Sequence, residues 1–162
     1  MGKGKRRPDR ERRPTAGMED RGRQPRSSLS RDETRTPRAI APNPRRRNPL
    51  WGFRIVDLGG PWCWTELDGA GLGEVLARLR ALESMTWDEI DGPTGSHHVA
   101  TAKLSRDARN RLVEIRQDDA ESLFSIRVTG ERRVWGILDE HVLRMLWWDP
   151  RHEVCPSIKK HT

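Results

Sequence analysis

Residues 123–156 read LFSIRVTGERRVWGILDEHVLRMLWWDPRHEVCP. Side chains along a strand alternate between two faces, so the run sorts into three successive strands. In the first, Leu123–Thr129, Phe124, Ile126 and Val128 take one face, and Ser125, Arg127 and Thr129 take the other. Gly130-Glu131 is a tight-turn signal. The second strand, Arg132–Leu138, puts Val134 and Leu138 on one face and Arg133, Trp135 and Ile137 on the other. Asp139-Glu140 turns the chain again. The third, His141–Trp148, is apolar apart from Arg144, as a central strand covered on both faces should be. Pro150 ends it, because proline has no N–H for a ladder. Trp147 and Trp148 fall on opposite faces, one in the core and one half exposed.

Upstream, the periodicity changes. Trp51–Leu58 alternates as a strand and is broken by Gly59-Gly60-Pro61. Trp62 and Trp64 sit in a loop or short hairpin. Leu72, Val75, Leu76, Leu79 and Leu82 recur at helical spacing and predict a helix over Leu72–Met85, with Glu74 and Arg78 paired on its outer side. Thr86-Trp87 opens a further helical turn. Residues 91–98, DGPTGSHH, form a loop, and Val99–Leu104 is a short extended piece. Ser105 is a good N-cap for a second helix, Arg106 to about Arg116, with Ala108, Leu112 and Ile115 facing inward. The expected fold is α+β: a small antiparallel sheet, made of one N-terminal strand and three C-terminal strands, packed with two helices.

Charge divides the chain. Residues 1–48 hold 16 Lys/Arg against 6 Asp/Glu, and residues 49–162 hold 15 against 18. The basic character therefore belongs to the first segment. With six prolines and few large apolar residues, it cannot bury enough surface to offset chain entropy. The expected organisation is a disordered basic arm over 1–48 and a single domain over 49–162. The arm clusters Lys5-Arg6-Arg7 and Arg45-Arg46-Arg47 are candidate polyanion contacts, since basic arms bind RNA and DNA through charge neutralisation. Two cysteines, no secretory leader and no apolar run of about 18 residues point to a cytoplasmic protein with no membrane partner.

The order of strand, helix, helix and three antiparallel strands is similar to that of the RelE/ParE toxin superfamily. The stretch Leu123–His152 resembles its YoeB branch through Ser125-Ile126-Arg127-Val128-Thr129, through Arg133-Val134-Trp135, and through a last apolar strand leading to His152. The resemblance implies a RelE-like domain and a ribosome-dependent mRNA endonuclease restrained by an antitoxin protein. It implies Arg127 and Arg133 as phosphate-stabilising arginines and His152 as general acid or base. Trp148 would stack on a base near that site. Glu114, Asp118, Asp119 and Glu121 remain open as the family's carboxylate.

Elementary chemistry agrees with that set. RNA is cut without metal or cofactor when its own 2′-hydroxyl attacks the adjacent phosphate, given a base, an acid and cations for the developing charge. Arginine matches phosphate oxygens with a planar fork, and histidine titrates near neutrality. Arg132, Arg151, Lys159 and Lys160, with the arm arginines, are further candidate nucleic-acid contacts. His97-His98 with His152 and Cys155 lacks the spacing of a recognised zinc site. There is no Gly-x-Ser-x-Gly elbow. Gly69-Ala70-Gly71-Leu72-Gly73 lacks the order of a dinucleotide fingerprint. The other classes in play are a non-catalytic RNA- or ribosome-binding protein and an interaction module of a toxin–antitoxin or phage-defence system.

Overall fold

A computed structural model describes residues 41–156. Its centre is a five-stranded mixed sheet in the order β1-β5-β4-β3-β2. The strands are β1 Leu50–Gly52, β2 His97–Ala100, β3 Ser122–Thr129, β4 Arg132–Asp139 and β5 Val142–Asp149. The three C-terminal strands form the antiparallel meander that alternation predicts. Gly136 sits where β4 and β5 slip register, between Trp135 and Gly136. A Cβ there would meet the Arg144 carbonyl oxygen at 2.5 Å, so only glycine lets the two backbones approach at this bulge.

Two features of the sheet differ from expectation. The N-terminal strand is only Leu50–Gly52, and it runs parallel to β5, so the sheet is mixed rather than antiparallel. Past Gly52 the chain turns, with the Val56 N–H bonded to the Phe53 carbonyl at 3.3 Å. Asp57 then anchors to β5 through its N–H on the Leu146 carbonyl at 3.0 Å. A buried carboxylate at Asp57 needs partners off the strand, and that demand overrides the alternation of Trp51–Leu58. The second difference is β2, which adds a fifth strand antiparallel to β3.

Helices cover both faces. On the first face lie α1, Gly69–Leu82, and the single turn α2, Trp87–Ile90. Val75, Leu79, Leu82, Trp87 and Ile90 pack there on Phe124, Ile126, Val134, Met145 and Trp148. α1 starts three residues earlier than periodicity suggests, because the Asp68 carboxylate accepts the Gly71 N–H at 2.7 Å as an N-cap. Leu72 and Leu76 point outward, 43% and 55% exposed. α2 carries a full capping box between Thr86 and Glu89. On the second face lies α3, Arg106–Glu114, capped by Ser105 as expected, with its hydroxyl accepting the Ala108 N–H at 3.2 Å. Ala108 and Leu112 pack on Leu123, Trp135, Leu146 and Trp147, with Trp62 tilted against Trp147 at 5.2 Å. Trp147 and Trp148 do take opposite faces, and both are buried.

The folded part begins ahead of Pro49. Arg45 Nε and Nη2 donate to Asp88 and Asp91 at 2.8 Å each, and the Asn48 amide donates to the Glu83 carbonyl at 2.9 Å. Residues 1–40 of the expected arm, including Lys5-Arg6-Arg7, lie outside the described residues. Among the described residues, no helix is long and apolar enough to cross a membrane.

Candidate functional site

Register decides which polar side chains meet. On the second face, β2, β3, β4 and β5 contribute one cross-strand row of His97, Ser125, Trp135 and Trp147. The next row is Arg127, Arg133 and Asp149. Residues two apart on a strand share a face roughly 7 Å apart, so the two rows are neighbours. Arg127 and Arg133 are therefore directly opposed on one face, which strand alternation allowed but could not decide.

The segment after β5 folds back over these rows. Its organiser is Asp149, whose side chain is fully buried. The carboxylate accepts the Trp135 indole N–H at 3.2 Å, the Glu153 N–H at 2.9 Å and the Val154 N–H at 3.0 Å. Those bonds close the corner Asp149-Pro150-Arg151-His152 and drive His152 into a left-handed conformation, φ 59°. A non-glycine residue there bears a steric penalty of about 1–2 kcal/mol, which the buried carboxylate holds in place. Between corner and sheet lies a cavity of about 240 Å3, lined among others by His97, Ser125, Arg133, Trp135, His152 and Cys155.

Two polar side chains at this cavity, Ser125 and Arg133, have a buried atom without a partner. Ser125 is 1% exposed and its Oγ has no hydrogen-bond partner. Arg133 anchors Nη1 on the Gly130 and Arg132 carbonyls at 2.8 and 3.1 Å, while its buried Nε has no partner. Burial lowers the Arg133 pKa from its ordinary value, and the Arg127 charge opposite adds to that, against weaker pulls from Asp149 and Glu131. Leaving a buried polar group unpaired costs about 1–3 kcal/mol. Burial also pushes the Cys155 thiol up from its ordinary value.

Of the residues singled out from sequence, the structure brings Arg133 and His152 to one cavity. Arg127 faces Arg133 without lining the cavity, and its side chain lies against Gly95, where a Cβ would meet its Cδ at 3.0 Å. Trp148 belongs to the opposite face, 5% exposed, so it is not a stacking platform beside His152. It borders a groove with Arg132, whose guanidinium is ion-paired to Glu74 of α1. Glu74 thus pairs with Arg132 rather than Arg78, which donates instead to the Arg127 carbonyl at 2.9 Å. Arg151 pairs with Glu153 at 2.8 Å, and Arg45 is held by Asp88 and Asp91. Arg46 and Arg47 are exposed. Lys159 and Lys160 lie outside the described residues. None of Glu114, Asp118, Asp119 and Glu121 lines the cavity. Glu114 binds Arg111 at 2.7 Å.

Sequence reasoning missed two carboxylates, Asp149 and Asp57. Asp57 accepts Arg111 Nε and Nη2 at 2.8 and 2.7 Å, the Trp147 indole N–H at 3.0 Å and the Gly59 N–H at 3.0 Å. Burial opposes its charge, but the bonds from Arg111, Gly59 and Trp147 outweigh burial and hold its carboxyl below the ordinary value. The signal available beforehand was the Asp149-Pro150 pair, a turn-forming dipeptide directly after an apolar strand. Ser125, a hydroxyl inside an apolar strand, was the other. Among the described residues, no three His, Cys, Asp or Glu side chains are grouped to hold a metal ion. Comparison with protein-family models, curated proteins and solved structures found no match to this chain.

Proposed function

We propose that the protein is a metal-independent RNA endonuclease, an mRNA interferase of the RelE/YoeB kind, with its chemistry in the cavity beneath the Asp149–Val154 corner. The observation that carries this reading is that Arg133 and His152 line one open-sided cavity. A guanidinium with a desolvated, unpartnered Nε is a ready donor to a phosphate oxygen, and charge–charge attraction is stronger away from water. An imidazole beside it supplies proton transfer to or from the reacting oxygens. Arg127, directly opposite Arg133, adds positive potential to the rim. The domain from residue 49 onward carries net negative charge, so the basic arm supplies the salt-sensitive affinity for RNA or ribosome.

Two observations disfavour broad surface binding by the sheet: Trp148 is buried, and Arg132, Arg151 and Arg45 are each taken by a carboxylate. An antitoxin-type protein partner has its own support in Leu72 and Leu76, exposed one turn apart on α1. The test is to express the wild type and an Arg133→Ala, His152→Ala double variant, scoring growth arrest and the ends of cellular RNA. The nuclease reading expects arrest and cleavage that both vanish in the double variant. Arrest that survives the change removes this cavity as the catalytic site. RNA binding without cleavage by the wild type favours the non-catalytic reading.

A further inference from the structure

We infer that His97 is the general base of this cavity and His152 its general acid, so that two imidazoles divide the proton transfers of one phosphodiester cleavage. The inference rests on the nuclease reading above and deepens it.

His97 reaches the cavity through the β2–β3 register. It pairs with Ser125, and the adjacent His98 pairs with Phe124 on the other face, ring to ring at 4.9 Å. Only the first of the two histidines therefore lines the cavity. The His97 Nδ1 lies 3.4 Å from the Gly95 carbonyl. A carbonyl only accepts, so a hydrogen bond at this contact puts the neutral ring's proton on Nδ1 and leaves a lone pair on Nε2. That tautomer is the one a general base requires. Gly95 itself is fixed, with φ +75° and the Arg127 side chain against the place a Cβ would take. His97 and Arg127 thus both lie against the same glycine. Ser125 is the independent sign of a ligand: a buried hydroxyl with no partner, between His97 and Trp135 in one row, beside the unpartnered Arg133 Nε. Hydroxyl and guanidinium together suit a phosphate oxygen.

Neutral His97 takes the 2′-hydroxyl proton as O2′ bonds to phosphorus. The bond from phosphorus to the 5′-oxygen breaks, and protonated His152 gives that oxygen its proton. The products are a 2′,3′-cyclic phosphate and a 5′-hydroxyl end. The charged and titratable groups that share this cavity with His97 are Arg133 on β4 and His152 with Cys155 from the C-terminal segment, with His98 next on its own strand and Arg127 of β3 against the neighbouring Gly95.

The experiment compares the full-length wild type with His97→Ala, His97→Gln, His152→Ala and His98→Ala. The substrates are a mixed-sequence RNA, free and on translating ribosomes, and uridine 3′-(4-nitrophenyl phosphate), whose leaving group needs no acid. On RNA, kcat/KM of the wild type should be bell-shaped in pH, and His97→Ala and His152→Ala should each lose about 100-fold or more. On the nitrophenyl ester His152→Ala should recover to within about tenfold of wild type, while both His97 variants stay low. His98→Ala should match wild type on both substrates. Thermal melting confirms that the exposed edge position 97 tolerates substitution. Wild-type cleavage with unimpaired His97 variants overturns this inference alone. A wild type inert on the ester and on RNA, both free and on translating ribosomes, overturns it together with the nuclease reading.

Discussion

The two faces of the sheet are built on different terms. The first, under α1 and α2, is closed by apolar side chains, and the charges at its margin are matched, Arg132 by Glu74 and Arg45 by Asp88 and Asp91. The second, under α3 and the C-terminal corner, buries Asp57, Asp149 and Ser125 and leaves the Arg133 Nε without a partner. Each unpaired buried group lowers stability, and the first face keeps one as well, the Trp64 indole N–H. The contrast teaches that polar burial is concentrated on the second face, where Asp57 and Asp149 are held by donors from segments remote in sequence.

The contrast breaks first at Asp57. Asp57→Ala should lower stability by about 3–5 kcal/mol, since it strands the part-buried Arg111 and the Trp147 indole. Urea unfolding measures this. The pH sign follows from the lowered carboxyl value. The stabilisation is present above the unfolded carboxyl pKa and is lost as pH falls through the depressed folded one. The advantage of wild type over Asp57→Asn should therefore be full at neutral pH and shrink in acid. An advantage that persists unchanged at low pH would contradict the charged pair.

Arg133→Met separates the site from the scaffold. RNA cleavage should fall about 100-fold, with melting changed little, because only Nη1 bonds to turn carbonyls are lost. His152→Gly and His152→Ala should differ from each other by about 1 kcal/mol in favour of glycine, since glycine relieves the left-handed conformation at φ 59°. Equal stabilities would show that the corner stores no strain. Ser125→Ala should leave stability unchanged or raise it by up to about 1 kcal/mol while activity drops, because it removes a buried hydroxyl that nothing in the fold satisfies. The smallest effect belongs to the first face. Arg132→Ala breaks a half-exposed pair with Glu74 and should change stability by less than about 1 kcal/mol and cleavage not at all.

Much of the fold was legible because local rules and tertiary demands agree in the meander. Alternation located β3, β4 and β5 to within a residue of their ends, and Ser105 marked the start of α3. The failures share a cause. At Trp51–Leu58 a strand pattern yields to the partners that Asp57 must find on α3 and β5, which are remote in sequence. At α1 the hydrophobic stripe included Leu72 and Leu76, yet only Val75, Leu79 and Leu82 of that stripe are buried. The candidate site was half legible. Arg133 and His152 were read from residue type and order, whereas Trp148 was assigned to the wrong side because face follows register.

By itself the sequence determined the strands of the meander, the capped helix at Ser105, the helical turn at Thr86 and the chemical types available for phosphate chemistry. These follow from periodicity and capping, which act over a few residues. Only the tertiary structure decided that β1 runs parallel to β5, that Arg127 faces Arg133, and that His97, Ser125 and His152 border one space. Those relations depend on cross-strand register and on where buried carboxylates find their donors. Both are fixed by contacts between segments far apart in the chain.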